Sequence, residues 1–181
     1  MMRKRKVHIH IYTGKGKGKT SAALGLAMRA IGWGMKVCVF QFLKKGINGE
    51  SKIAGLMEDR LKVVTFDQTH PMFCKGPTRG AAAESLKSRF SKDMQTVQSV
   101  ILEGNYDIII LDEIINALSQ EFVEKKDLTS LINSKLGISE LVLTGRGAPK
   151  WLIIKADYVT EMRLIKHPYN KRSAARKGIE Y

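Results

Sequence analysis

Short apolar runs alternate along this chain with stretches of helical period. Residues 7–12 read VHIHIY, β-branched and apolar enough for a strand, and 36–43 run almost continuously apolar through VCVFQFL, as a parallel strand covered on both faces requires. Further strands are predicted over 61–66, over 106–111 as YDIIIL, over 140–144 as ELVLT and over 158–164. Between them Ala22, Ala23, Leu26, Ala27 and Ala30 recur at helical spacing over 19–31, and the pattern stops at Gly32-Trp33-Gly34. Leu86, Phe90, Met94, Val97 and Ile101 form a core stripe along the longest helix, predicted over 81–102 and closed by Gly104-Asn105. Shorter helices are expected over 127–136, capped by Asp127, and over 149–155. Residues 44–50 and 67–78 carry turn residues without a period and read as loops. No repeat or linker divides the pattern, so strands alternating with helices predict one α/β domain over 1–181.

The connection between the first strand and the first helix carries the most chemistry. In TGKGKGKT, Gly14, Gly16 and Gly18 precede Lys19-Thr20, a phosphate-binding loop whose backbone N–H groups turn toward phosphate oxygens that a Cβ would obstruct. Lys19 adds positive charge, Thr20 offers a hydroxyl to Mg²⁺, and the helix points its positive dipole end at the same anion. Five residues before Gly18 stands Thr13, so the first glycine is offset by one place from the usual spacing. Lys15 and Lys17 exceed that pattern; they either face solvent or add charge around a polyphosphate. The fold expected is therefore P-loop NTPase-like (RecA-like), a parallel sheet of five or six strands flanked by helices.

At the carboxyl end of YDIIIL the acids Asp112-Glu113 follow, placed to hold Mg²⁺ beside Thr20. The strand at 140–144 delivers Gly145-Arg146-Gly147 to the same edge, where Arg146 is a candidate phosphate clamp. His8 and His10 share one strand face, and His70 with Cys74 lie in a predicted loop; neither pair has the partners that a metal site needs.

Of the 181 residues 44% are hydrophobic, enough for one core. No run of eighteen apolar residues exists, and the basic start leads into a strand rather than a signal core, which places the protein in the cytoplasm with no membrane partner. Two cysteines, Cys38 and Cys74, fit a reducing compartment without a disulfide framework. The charge of +14 raises the question of nucleic acid, and a nucleic-acid-dependent P-loop ATPase is the alternative function it favours. The cations concentrate at residues 3–6 and 166–177, with no interleaved aromatics for base stacking, which argues against DNA or RNA as the substrate.

Several stretches together resemble the ATP:corrinoid adenosyltransferases of the P-loop type. They are TGKGKGKTSAALGLAMRAIGWGMKV, QFLK with NGE at 48–50, YDIIILDE, LVLTGRGAP, and ADYVTEMRLIKHPY closing with ARKGIEY, in order over nearly the whole chain. The resemblance implies transfer of the 5′-deoxyadenosyl group of ATP to the Co(I) of a corrinoid, with triphosphate released and ATP held in the reverse of the ordinary orientation. It implies that Gly14, Lys15, Gly16, Lys17, Gly18, Lys19, Thr20 and Ser21 bind the triphosphate, with Lys19 catalytic and Arg146 a further contact. Thr20, Asp112 and Glu113 then serve Mg²⁺, and Phe73 is the aromatic that displaces the corrinoid's lower axial ligand. A second aromatic expected soon after it is missing, Lys75 lying nearby, and an asparagine expected directly after the acid-Glu-aliphatic run is Ile115, with Asn116 next. The family also implies a reductase that supplies Co(I) and a homodimer; an amino-terminal segment covering the corrinoid in some relatives is expected to be largely missing. A small-molecule kinase is a third reading of the loop.

Overall fold

The computed structural model describes residues 7–46, 48–66, 81–133, 138–166 and 176–179. Phe73, His70 and Cys74, and the basic segments 3–6 and 167–175, lie outside these residues.

Six strands form one sheet: β1 (His8–Thr13), β2 (Val37–Gln41), β3 (Leu61–Thr65), β4 (Ile108–Asp112), β5 (Glu140–Thr144) and β6 (Tyr158–Glu161), in the order β3-β2-β4-β5-β1-β6. Every neighbouring pair is parallel. Parallel neighbours need crossovers, and the helices supply them: α1 (Lys19–Gly32), α2 (Gly49–Ala54), α3 (Ala81–Glu103), α4 (Ile114–Ser119), α5 (Lys125–Asn133) and α6 (Lys150–Lys155). All strands therefore end at one edge, where β1, β2, β4 and β5 release the loops that build the site. β5 lies between β1 and β4, so the phosphate loop and the acid pair are separated by one strand and not adjacent.

The two faces of the sheet are packed by different residues. Alternation sends Val37, Val39, Ile108, Ile110 and Val142 to one side, against Ala23, Ala27 and Ala30 of α1. Alanines at that spacing let the helix approach the sheet closely, so the loop preceding it is anchored near the strand ends. Cys38, Phe40, Ile109, Leu111, Leu141 and Leu143 face the other side, against Phe90, Met94, Val97 and Ile101 of α3. Phe42, Phe66, Phe90 and Phe122 stack or tilt against one another there, at centroid separations from 4.9 to 6.1 Å.

Several boundaries differ from the sequence reading. β2 ends at Gln41, because Leu43 takes a left-handed φ of 53° and turns the chain over the sheet edge. The loop expected over 44–50 contains the cap and first turn of α2, where Asn48 accepts from Ser51 N at 2.9 Å and Ser51 Oγ closes a reciprocal capping box. α4 follows the acid pair directly, and α5 begins at Lys125, with Asp127 in its first turn instead of at its cap. β6 ends at Glu161, where Met162 turns to meet the phosphate loop.

Candidate functional site

The loop from Gly14 to Gly18 ends in a left-handed glycine, Gly18 with φ 109°, which is the N-cap of α1. Lys19 is buried at the first position of that helix, and its ammonium donates to the carbonyls of Gly14 at 2.9 Å and Gly16 at 2.8 Å. Burial presses its pKa below the ordinary lysine value, against the pull of Glu113. Lys15 and Lys17 are exposed, Ser21 is exposed, and Thr20 is half-buried.

Glycine at 14 and 16 has a reason that the motif does not reveal. The chain leaving β6 crosses the outside of the loop: Met162 N donates to Thr13 O at 2.8 Å, and Gly16 N donates to Met162 O at 2.7 Å. A Cβ on Gly16 would stand 2.7 Å from Met162 O and 2.8 Å from Arg163 O, and one on Gly14 would collide with Met162 O. The Gly16 N–H is thus spent on the Met162 carbonyl and not directed at an anion, which narrows the expectation that the loop's glycines serve phosphate alone.

Asp112, fully buried at the end of β4, collects the rest of the site. Its Oδ1 accepts from Thr20 Oγ1 at 2.8 Å and from Thr144 Oγ1 at 2.7 Å, while its Oδ2 lies 3.0 Å from the ammonium of Lys44. Thr144, at the end of the intervening β5, also accepts from Glu113 N at 2.9 Å, so its hydroxyl locks the acid pair to the central strand. Thr20 and Asp112, 92 residues apart in sequence, are in contact, while the carboxylate of Glu113 is turned to Asn116. Two hydroxyls and a carboxylate at this spacing form an oxygen-only donor set, which suits a hard cation such as Mg²⁺.

Glu113 adopts a left-handed φ of 65°, turning its carboxylate onto Asn116 Nδ2. Burial and the adjacent Asp112 raise its pKa, and Lys19 and Lys44 pull the other way. Asn116 Oδ1 accepts from Arg146 N at 2.5 Å, so the turn after β4 is tied to the loop after β5. The Arg146 side chain is exposed at the rim, near enough to Lys19 and Glu113 to influence both charges. Ile115, where an asparagine was expected, is core, and Asn116 reaches the acid from the next position.

Two residues here were given no part in the sequence reading, Thr144 and Lys44, and Asn116 was noted there only as lying one place past the expected asparagine. Lys44 closes the β2 side, pairing with Glu50 at 3.3 Å as well as with Asp112. Burial opposes its charge, but the two carboxylates outweigh burial and raise its pKa. Beneath it Gln41 Oε1 accepts from Asn48 Nδ2 at 2.6 Å and Thr65 Oγ1 at 2.9 Å, a buried polar seam along the ends of β2 and β3. The QFLK and NGE stretches that the sequence reading noted by likeness are thus joined by contact.

Away from this edge, His8 and His10 both meet Glu140, at 3.5 and 2.7 Å, and His10 stacks on Tyr158. Among the described residues no group of three or more His, Cys, Asp or Glu side chains is arranged to hold a metal, and no helix is long and apolar enough to cross a membrane.

Comparison with known proteins agrees with this geometry. A family model described as ATP:corrinoid adenosyltransferase BtuR/CobO/CobP matches residues 5–181. Corrinoid adenosyltransferases of Pseudomonas aeruginosa and Escherichia coli are each 29% identical over 162 residues, covering 89% of this chain and 77% and 79% of theirs. One from a Sinorhizobium species is 32% identical over 164 residues, covering 89% of this chain and 74% of its own. Among solved structures, a KaiC-like protein from Pyrococcus horikoshii shares the fold with a TM-score of 0.51 at 14% identity, covering 89% of this chain and 74% of that one. The P-loop architecture and the match along 5–181 agree: the chain belongs to the ATP:corrinoid adenosyltransferase BtuR/CobO/CobP family.

Proposed function

We propose that this chain, acting as one domain, transfers the 5′-deoxyadenosyl group of ATP to the Co(I) of a corrinoid and releases triphosphate. The observation that carries the reading is the state of the acid pair within a chain matched to the family throughout. Asp112 Oδ1 accepts from Thr20 and Thr144, its Oδ2 is ion-paired with Lys44, and Glu113 is engaged by Asn116, so neither carboxylate stands free as a base to activate water. A nucleotide hydrolase needs such a group. Alkyl transfer does not: the Co(I) electron pair forms a bond to ribose C5′, the C5′–O bond breaks, and triphosphate departs with the electrons of the broken bond, cobalt ending formally as Co(III).

Charge grows on the leaving triphosphate, and stabilisation belongs there. Among the described residues the hydrogen bonds of the Lys19 ammonium go to neutral carbonyls, so it is available to an incoming phosphate at small cost. The other N–H groups at the start of α1 bind along the same chain, with Gly14, Lys15, Gly16, Lys17, Gly18, Thr20 and Ser21 lining the loop and Arg146 reaching in from the rim. Mg²⁺, held by Thr20 with Asp112 and Glu113, supplies Lewis-acid neutralisation of the same charge. The reading carries with it a reductase that delivers Co(I), Phe73 as the aromatic near the lower ligand, a homodimer and a cytoplasmic setting.

The test is product analysis. Protein, ATP, Mg²⁺ and chemically reduced cobinamide are expected to give triphosphate and a light-sensitive cobalt–carbon product. ADP and orthophosphate as the main products would remove the reading, and ATP turnover stimulated by DNA or RNA with steep salt dependence would replace it.

A further inference from the structure

Lys44 is the residue at this site with no assigned part. Its ammonium sits where two carboxylates converge, 3.0 Å from Asp112 Oδ2 and 3.3 Å from Glu50 Oε1. The Asp112 side chain is 1% exposed, and those of Glu50 and Lys44 are 20% and 25% exposed, so little water shares the charge. Each participant is fixed from behind. Thr20 and Thr144 hold Asp112, Glu50 stands in the first turn of α2, and the cap of that helix, Asn48, is bonded to the buried Gln41. Two anionic oxygens facing one cation is also the beginning of a divalent-metal site, since oxygen ligands would need to close by only about 1 Å to reach the 2.0–2.2 Å typical of Mg²⁺ or Mn²⁺.

We propose that Lys44 is a built-in cation that occupies the Asp112–Glu50 position in the nucleotide-free protein and keeps it closed to free divalent metal, so that metal enters only as the nucleotide complex. The ammonium cancels most of the field that would attract a free ion; it donates to Glu50 Oε1 and stands 3.0 Å from Asp112 Oδ2, where such an ion would have to sit. A metal already chelated by a triphosphate brings most of its ligands along and asks of the protein only the Thr20 side of Asp112. Lys44 is thus a positioning residue: it holds Asp112 with Oδ1 toward Thr20 and prevents a misplaced metal from turning the carboxylate toward Glu50.

This rests on the nucleotide reading for its consequence but not for its test, which contains no nucleotide. Mn²⁺ is titrated into the nucleotide-free protein and free ion is followed by its electron paramagnetic resonance signal. The native protein is expected to bind weakly, and Lys44→Met to bind at least about ten-fold more tightly, because the buried Asp112 and the half-buried Glu50 are left without a counter-charge. Adding Glu50→Gln to Lys44→Met should abolish the gain, Lys44→Arg should stay closed, and the exposed neighbour's variant Lys45→Met should behave as native. If Lys44→Met does not fold, Lys44→Gln keeps a donor to Asp112 without the charge and should still admit the metal. Native protein binding Mn²⁺ as tightly as the Lys44 variants, or a gain that survives Glu50→Gln, would overturn the proposal. Failure to form triphosphate with the metal results as expected would instead remove the proposed function alone.

Discussion

Two lysines, the buried Lys19 and the half-buried Lys44, stand at the carboxyl edge of this sheet, and their surroundings differ in kind. Lys19, on the β1 flank, is held by carbonyls of its own loop, with Lys15 and Lys17 exposed beside it and burial working against its charge. Lys44, on the β2 flank, is held by carboxylates over a buried seam of Gln41, Asn48, Phe40 and Phe42. A cation with only neutral partners gains most from an arriving anion; one already paired with acids gains least. The β1 flank is therefore built to receive charge and the β2 flank to neutralise its own.

The sharpest way to break this contrast is Lys19→Ala. Triphosphate formation should fall by about 10²–10³-fold, the loss that accompanies removal of one transition-state charge partner. Its thermal midpoint should hold or rise, because a buried ammonium in a disfavoured state is removed. Activity that survived, or a collapse in stability, would show that Lys19 is structural. A glycine pair separates the flanks by packing. Gly16→Ala pushes a methyl against the Met162 and Arg163 carbonyls and should cost about 1–3 kcal/mol, together with ATP affinity, in denaturant unfolding and nucleotide titration. Gly49→Ala, in the first turn of α2, meets nothing within 4 Å and should be neutral or stabilising by up to about 1 kcal/mol. Equal costs would mean that the loop is not braced from outside.

The same contrast explains what the sequence discloses. α1, β4 and the acid pair are legible because each is specified by a local pattern: glycines before Lys19-Thr20, alanines at helical spacing, four apolar residues before Asp112. The order of strands is not local, and nor is the insertion of β5 that brings Thr144 onto Asp112. Met162 meets Gly16 through a contact 146 residues long in sequence, which leaves no trace in either segment. α2 and α4 have six residues each, too few to display a period, so neither was legible as a helix and the capping box at Asn48 passed for loop. Lys44 looked like one of two loop lysines, and only the fold distinguishes it from the exposed Lys45.

A smaller effect tests how the flanks are joined. Asn116 bonds Glu113 with its amide N–H and accepts from Arg146 N with its oxygen, linking the turn after β4 to the loop after β5. Asn116→Ala leaves a buried carboxylate and a backbone N–H without those partners and should cost about 1–3 kcal/mol in unfolding. If Glu113 is held by this amide and not poised as a base, the variant should show new ATP hydrolysis to ADP or none, with lower triphosphate formation in both cases. Faster triphosphate formation would contradict a positioning role for the amide.

The smallest effect concerns how far the burial of the β2 flank extends below the site. Cys38, three residues before Gln41 on β2, is fully buried, and burial pushes its thiol from 9.0 up to about 12. Its folded-state pKa lies above the unfolded value, so the folded protein binds this proton more tightly, and the stability it contributes is complete below about pH 9. That contribution is lost progressively as pH rises toward 12, where the folded thiol itself ionises. Equilibrium unfolding of native protein between pH 8 and the alkaline limit should therefore decline more steeply than that of Cys38→Ala, which starts lower by its lost packing but has no thiol to ionise. Parallel curves would mean that water reaches β2 from beneath, and the carboxylates around Lys44 would then be screened instead of sealed.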